Sequence, residues 1–256
     1  LIEAAKFFNG KDEGLSGISM RSRVGWEFTY MWSIFIFPFG GEMLDPTMTK
    51  PGLNKPETIA SLKYIIDLME YAPPGVESFS FSEAWDAFMQ GKVVFMVEAS
   101  AAAPDVENPE KSVIAGKVGY APMPAGPAGA YSGVWGWGYG IPSGSPNKDA
   151  AYAYMMYVTS RAMQDEYIEN GGIPSRSSYL LDPDKQAENA YYKTTLDTLD
   201  QAAALLEKGY GVVIPILQWS AFSDILGTEG GMALIGQQTA EEACQSMQEQ
   251  AEDLLK

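Results

Sequence analysis

A chain of 256 residues, 46% of them hydrophobic, has enough apolar material for one large domain or two. Its 33 acidic and 17 basic side chains leave a formal charge of -16, which argues against nucleic acid or an anionic membrane surface as a partner and suits an unassociated monomer. Histidine is absent and Cys244 is the single cysteine, so Ser-His or Cys-His catalysis, an internal disulfide and a thiolate metal site are excluded, and neither a metal nor another cofactor is expected.

The chain has no apolar run of about 18 residues and no signal-peptide pattern. It opens on Leu1 as if in mid-helix, which reads as a processed chain or a fragment. That first helix should stop at Asn9-Gly10. A strand is expected at 17–20, followed by Arg21 and Arg23 and then an aromatic-rich segment from Trp26 to Phe39 whose spacing predicts buried helix. Arg21 and Trp26 stand at the entrance of that segment, where a ligand can be met.

A second helix should start with Asn54 as its N-cap, Pro56 in the first turn and Glu57 three residues on, burying Ile59, Leu62, Ile65, Ile66 and Met69. A shorter helix from Ser82 to Gly91 precedes the apolar run Lys92 to Val97, which reads as a buried strand of a mostly parallel sheet. Strand and helix alternate, so the fold class is α/β. In such sheets ligands bind beyond the carboxyl ends of strands, which marks Glu98 and Ser100 as candidates.

Residues 101–130 read as a proline-rich connection with a short strand at 117–121. It leads into Tyr131 to Pro142, YSGVWGWGYGIP, where glycines alternate with aromatic rings. Glycine weakens a packed strand but lets backbone turn or approach a ligand, so Tyr131, Trp135 and Trp137 are candidates for a ligand wall. If the stretch is extended, the two indoles face the same side. A helix should then run from Ser145-Pro146 to about Gln164 or beyond, and the loop GGIPSRSS at 171–178 carries Arg176.

A long helix is expected over 187–208 with Leu196, Leu199, Ala203 and Leu206 inward, then a turning segment that contains Trp219 and a helix over 221–235. The last helix opens with a capping box at Thr239 and buries Ala240, Ala243, Cys244, Met247 and Ala251.

No phosphate-binding loop is present, and the acidic pairs Asp182/Asp184 and Glu241-Glu242 sit where capping explains them. What remains is tryptophan, tyrosine, arginine and one carboxylate, a set suited to stacking on a sugar ring and bonding its hydroxyls in pairs. Binding fits better than turnover. The alternative is a glycan-processing enzyme or an enzyme-associated carbohydrate module, and a third is a structural protein whose aromatics are all core.

Several segments together resemble the family 1 extracellular solute-binding proteins of bacterial ABC importers, the maltose-binding-protein-like group. They are FGGEMLD at 39–45, LNKPETIASLKYIIDLM at 53–69, FSEAWDAFMQGKVVFMVE at 81–98, KSVIAGKVGYAPMPAGPAG at 111–129, GWGYGIPSGSPNKDAAYAYMMYVTS at 136–160, GGIPSRSS at 171–178 and ALIGQQTAEEACQSMQEQAEDLLK at 233–256. The resemblance implies a type II periplasmic-binding-protein-like fold of two lobes, with a carbohydrate or sugar alcohol held between them. It also implies a periplasmic or extracellular location and delivery to the transmembrane subunits of an ABC permease. Residues 1–132 and 186–256 would form the C-terminal lobe, 133–137 a hinge crossover, and 138–185 a returning part of the N-terminal lobe. The opening part of that lobe has no counterpart here, so the lobe reads as incomplete or as carried on another chain.

Overall fold

The computed structural model describes residues 1–256. Helix α1, Ile2–Phe8, ends at Asn9, and Gly10 takes the left-handed conformation there (φ 70°). Strand β1, Ser16–Ser19, pairs in parallel with β2, Val93–Met96, with Ile18 opposite Phe95. These are the only two strands, and α1 lies across β1 so closely that a Cβ on Gly17 would stand 2.2 Å from the Ala5 carbonyl oxygen. Only glycine permits that approach.

Helix α2, Trp26–Ile36, continues as a short 3-10 turn to Phe39 and is closed by Gly40 at φ 85°. Apolar residues occur all round it, and a helix of that kind must be enclosed on every side. All of its residues are buried except Trp26 and Tyr30. Its neighbours are α3, Pro56–Met69, and α11, Trp219–Leu234. The Trp32 indole N–H donates to Ser61 Oγ at 2.9 Å and the Thr29 hydroxyl to the Ser223 carbonyl at 2.7 Å, so the polar groups buried with α2 are paired.

Lys55, not Asn54, takes the N-cap position of α3, because Asn54 turns its amide toward Gln245. The buried face is Thr58, Ser61, Leu62, Ile65, Leu68 and Met69, close to the expected stripe but rotated by the contact with Trp32. Helix α12, Ala240–Leu254, has the expected capping box and packs on α11 through Ala243, Cys244, Met247 and Ala251. Gln248 of α12 pins the chain before α3, accepting the Leu53 N–H at 2.8 Å and donating to the Pro51 carbonyl at 3.0 Å.

Helix α4, Phe81–Met89, starts one residue earlier than expected because Ser80 and Glu83 close the capping box. The strand expected at 117–121 does not form, and short helical turns appear at Ser100–Ala102 and in α5, Ala103–Val106. The single helix expected after Pro146 is two: α6, Lys148–Val158, and α7, Arg161–Glu169, divided where Ser160 caps α7 by accepting the Met163 N–H. Two turns, α8 at Ser177–Leu180 and α9 at Pro183–Glu188, precede α10, Tyr191–Leu206.

Helix α10 buries Tyr191, Tyr192, Ala202 and Leu205, while Leu199 and Leu206 are exposed. The expected stripe is therefore one position out at its C-terminal end. The two tyrosines form a small core with Leu180 and Ala103, and this fixes the helix rotation. No helix is long and apolar enough to cross a membrane.

Candidate functional site

Parallel pairing puts the carboxyl ends of β1 and β2 at one edge, and Arg21 and Glu98 follow two residues beyond each strand. They meet as a two-pronged pair: Arg21 Nε donates to Glu98 Oε2 at 2.8 Å and Nη2 to Oε1 at 2.5 Å. Arg21 Nη1 also reaches Glu27 Oε2 at 3.4 Å, and Arg23 Nη2 donates to Glu27 Oε1 at 3.0 Å. The Ala99 N–H, at 2.7 Å, supplies Glu98 with a further donor. Burial pulls the Arg21 pKa down, but the hydrogen bond and charge of Glu98, with Glu27 behind it, more than offset this and leave it raised. Glu27 is raised because its burial outweighs the two arginines.

Aromatic rings cover this charged cluster. The Arg21 guanidinium carbon lies 5.4 Å from the centre of the Tyr30 ring and 5.7 Å from that of Phe81. Phe81 is brought there because the N–H groups of Ser22 and Arg23 both donate to the Phe79 carbonyl, tying the loop after β1 to the start of α4. Tyr30 stacks on Trp135 at 4.5 Å and 19°, and Trp26 meets Tyr30 edge-on at 5.6 Å. Trp26 and Phe81 are about half exposed, at 48% and 42%.

The chain reaches this edge only because α11 permits it. A Cβ on Gly227 would stand 2.0 Å from the Gly25 carbonyl oxygen, and the Gly25 N–H in turn donates to Gly227 at 3.1 Å. Gly25 itself sits at φ 106° and N-caps α2, so it sets the direction in which Trp26 leaves.

Of the candidates from sequence, Arg21, Trp26, Glu98 and Trp135 come together. Trp219 opens α11, packing on Phe222 one turn before the Ser223 carbonyl that holds Thr29. Tyr131 is tied instead to Lys208, whose ammonium stands 4.5 Å over its ring. Ser100 is exposed on its turn, without a side-chain hydrogen bond. Arg176 is exposed and donates to the Thr159 carbonyl at 2.6 Å, away from the cluster.

Residues 131–142 form no strand, so the alternation expected to put Trp135 and Trp137 on one side does not hold. Trp137 is fully exposed, whereas the Trp135 indole nitrogen is buried without a hydrogen-bond partner. Sequence reading overlooked Tyr30, Phe81 and Glu27. Tyr30 was legible, being four residues from Trp26 on the same helix face. Phe81 was not, because its contact with Arg21 spans sixty residues of sequence.

Two concavities lie elsewhere. One of about 370 Å³ sits near Ser16 and Lys92, at the amino ends of the strands, and one of about 310 Å³ lies between Phe37, Met43, Tyr210 and Ile214. No group of three or more His, Cys, Asp and Glu side chains is placed to hold a metal ion.

The family model for the bacterial extracellular solute-binding proteins matches residues 1–165. The mannitol-binding protein of Pseudomonas aeruginosa is 28% identical over 97% of this chain and 60% of its own length. A probable amino-acid ABC transporter periplasmic-binding protein of Sinorhizobium fredii is 30% identical over 69% of this chain and 40% of its own. An ABC transporter solute-binding protein from Agrobacterium vitis, solved with bound D-mannitol, superimposes with a TM-score of 0.87 at 28% identity, covering 98% of this chain and 63% of that one. A second from Agrobacterium radiobacter, solved with ribitol, gives 0.86 at 26% identity, with 99% and 63% covered. The chain thus has the α/β fold of periplasmic solute-binding proteins and spans less than two thirds of the length of each of these relatives.

Proposed function

The chain belongs to the bacterial extracellular solute-binding proteins, and from that premise we propose that it is the capturing component of an ABC importer, taking up a carbohydrate or sugar alcohol outside the cytoplasm. The observation that carries this reading is the cluster of Trp26, Tyr30 and Trp135, with Phe81 across Arg21 from Tyr30 in the chain of contacts, at the carboxyl edge of the strand pair. Flat apolar rings beside polar groups suit the C–H face of a sugar or polyol, and nothing in the cluster has the geometry of a nucleophile with its base. The mannitol and ribitol bound by similar proteins support the same class.

Residues 1–132 and 186–256 form one lobe in this proposal, 133–137 the crossover, and 138–185 part of the second lobe. Helix α6 supports the division: it buries no side chain among residues 1–256 and presents Tyr152, Tyr154, Met156 and Tyr157 outward. Ligand held between lobes favours the closed form by touching both. The loaded monomer then docks on the transmembrane permease subunits in the periplasm or at the cell surface.

Calorimetric titration of the intact protein with a panel of sugars and polyols tests the reading, and the absence of binding by every member breaks it. Trp26→Ala and Phe81→Ala should each weaken the best ligand about fivefold, the scale of one ring contact. Unchanged affinity in both removes those two residues from the site.

A further inference from the structure

The charged groups at the site are paired with one another. Arg21 is 8% exposed, its three guanidinium nitrogens are engaged by Glu98 and Glu27, and the rings of Tyr30 and Phe81 lie within about 6 Å of it. Both oxygens of Glu98 accept hydrogen bonds from Arg21, and one also accepts the Ala99 N–H, leaving its side chain 2% exposed. Glu27, also 2% exposed, is divided between Arg21 and Arg23. Arg23 is the half-exposed member, and it faces Glu27 and Glu83, the latter locked in its capping box with Ser80. Two positive and two negative side chains therefore cancel, with Arg21, Glu27 and Glu98 buried beside uncharged aromatic rings and Arg23 at the rim.

We infer that this site selects its ligand by charge, taking a polyol or neutral sugar and excluding the carboxylate and ammonium forms of the same carbon chain. The inference rests on the sugar and polyol reading above and narrows it. A ligand carboxylate can reach Arg21 only if the two-pronged pair with Glu98 opens, which strands a buried carboxylate. A ligand ammonium meets the same obstacle at Glu98 and Glu27, since neither has a free oxygen facing outward. Arg21 and Glu98 consequently act as positioning residues. They fix the strand ends under Tyr30 and Phe81, and the rings meet the ligand. The amino acid named for the Sinorhizobium fredii relative carries both charges and is excluded on the same ground.

The test uses matched ligands that differ at one terminal group: D-mannitol, D-mannonate and 1-amino-1-deoxy-D-mannitol, with ribitol and ribonate as a shorter pair. In calorimetric titration of the intact protein, each charged form is expected to bind at least about 50-fold more weakly than its neutral partner, the order expected when a buried ion pair must open. Smaller discrimination, or tighter binding of a charged form or of an amino acid, overturns the inference while leaving a small-solute carrier in place. Binding by no member of the panel breaks the underlying sugar and polyol reading itself. Glu98→Gln sharpens the result, because it keeps the shape but leaves Arg21 with one uncompensated charge. The ratio of mannonate to mannitol affinity should rise about tenfold in that variant, whereas a purely structural role for Glu98 lowers both affinities together and leaves the ratio unchanged.

Discussion

Helices α2 and α6 have 11 residues each and both are rich in aromatic and aliphatic side chains, WEFTYMWSIFI against KDAAYAYMMYV. The first buries everything but Trp26 and Tyr30, and the second buries nothing. Apolar content alone does not bury a helix: α2 is packed between α3 and α11, whereas α6 meets chiefly α7. The two unburied residues of α2, Trp26 and Tyr30, are also the two that join the aromatic cluster of the candidate site.

The largest expected effect tests the enclosure of α2. Trp32→Ala removes a fully buried indole and its bond to Ser61, and should cost about 3–5 kcal/mol in denaturant unfolding, with Tyr154→Ala on α6 as its counterpart. If α6 belongs to a second lobe, Tyr154→Ala costs at least about 1 kcal/mol in the intact protein. A change within about 0.5 kcal/mol leaves α6 a solvent-facing helix and breaks the division of lobes.

Next is the close approach of Gly25 to α11. Gly227→Ala forces its new methyl against a backbone carbonyl, which no rotamer can relieve, and should destabilise by about 1–3 kcal/mol while displacing Trp26. Wild-type stability together with unchanged ligand affinity would show that the loop moves freely.

Groups in the α2-centred core and in the small core at the start of α10 make the fold sensitive to alkali. Burial pushes the Cys244 thiol and the Tyr191 phenol up to about 12, and burial with the Glu42 hydrogen bond does the same for Tyr210. In each case the unfolded chain releases its proton first, so the stability they contribute is complete below about pH 9 and is lost as pH rises toward 12. Thermal unfolding should fall by about 5 °C or more between pH 9 and 11, and the double variant Tyr191→Phe/Tyr210→Phe should flatten that fall. An equal fall in the double variant assigns it to other groups.

The smallest effects separate the two neighbouring indoles. Trp135→Ala loses the stack on Tyr30 and should cost about 0.5–1.5 kcal/mol, whereas Trp137→Ala should change stability by less than about 0.5 kcal/mol. Equal losses would mean that both rings are packed.

Local signals were legible wherever a few consecutive residues decide the outcome. The capping box at Thr239, the left-handed Gly10 and the burial of the last helix are of this kind. The misjudged rotation of α10 has a different origin, since Tyr191 and Tyr192 are turned inward by Leu180 and Ala103, which no periodicity within the helix encodes. Tyr30 and Phe81 join the candidate site through contacts with Arg21, the second of them from far along the chain.

By itself the sequence determined the absence of histidine chemistry, the acidic surface, the helices that carry their own caps, and a set of aromatic and charged residues suited to binding. Tertiary structure decided which of them meet. Arg21 and Glu98 are 77 residues apart and pair because parallel strands end at the same edge. That pairing turns two expected ligand contacts into a sealed, neutral floor. Caps and periodicity act within a few residues, whereas charge pairing and burial depend on distance through space, which only the folded chain sets.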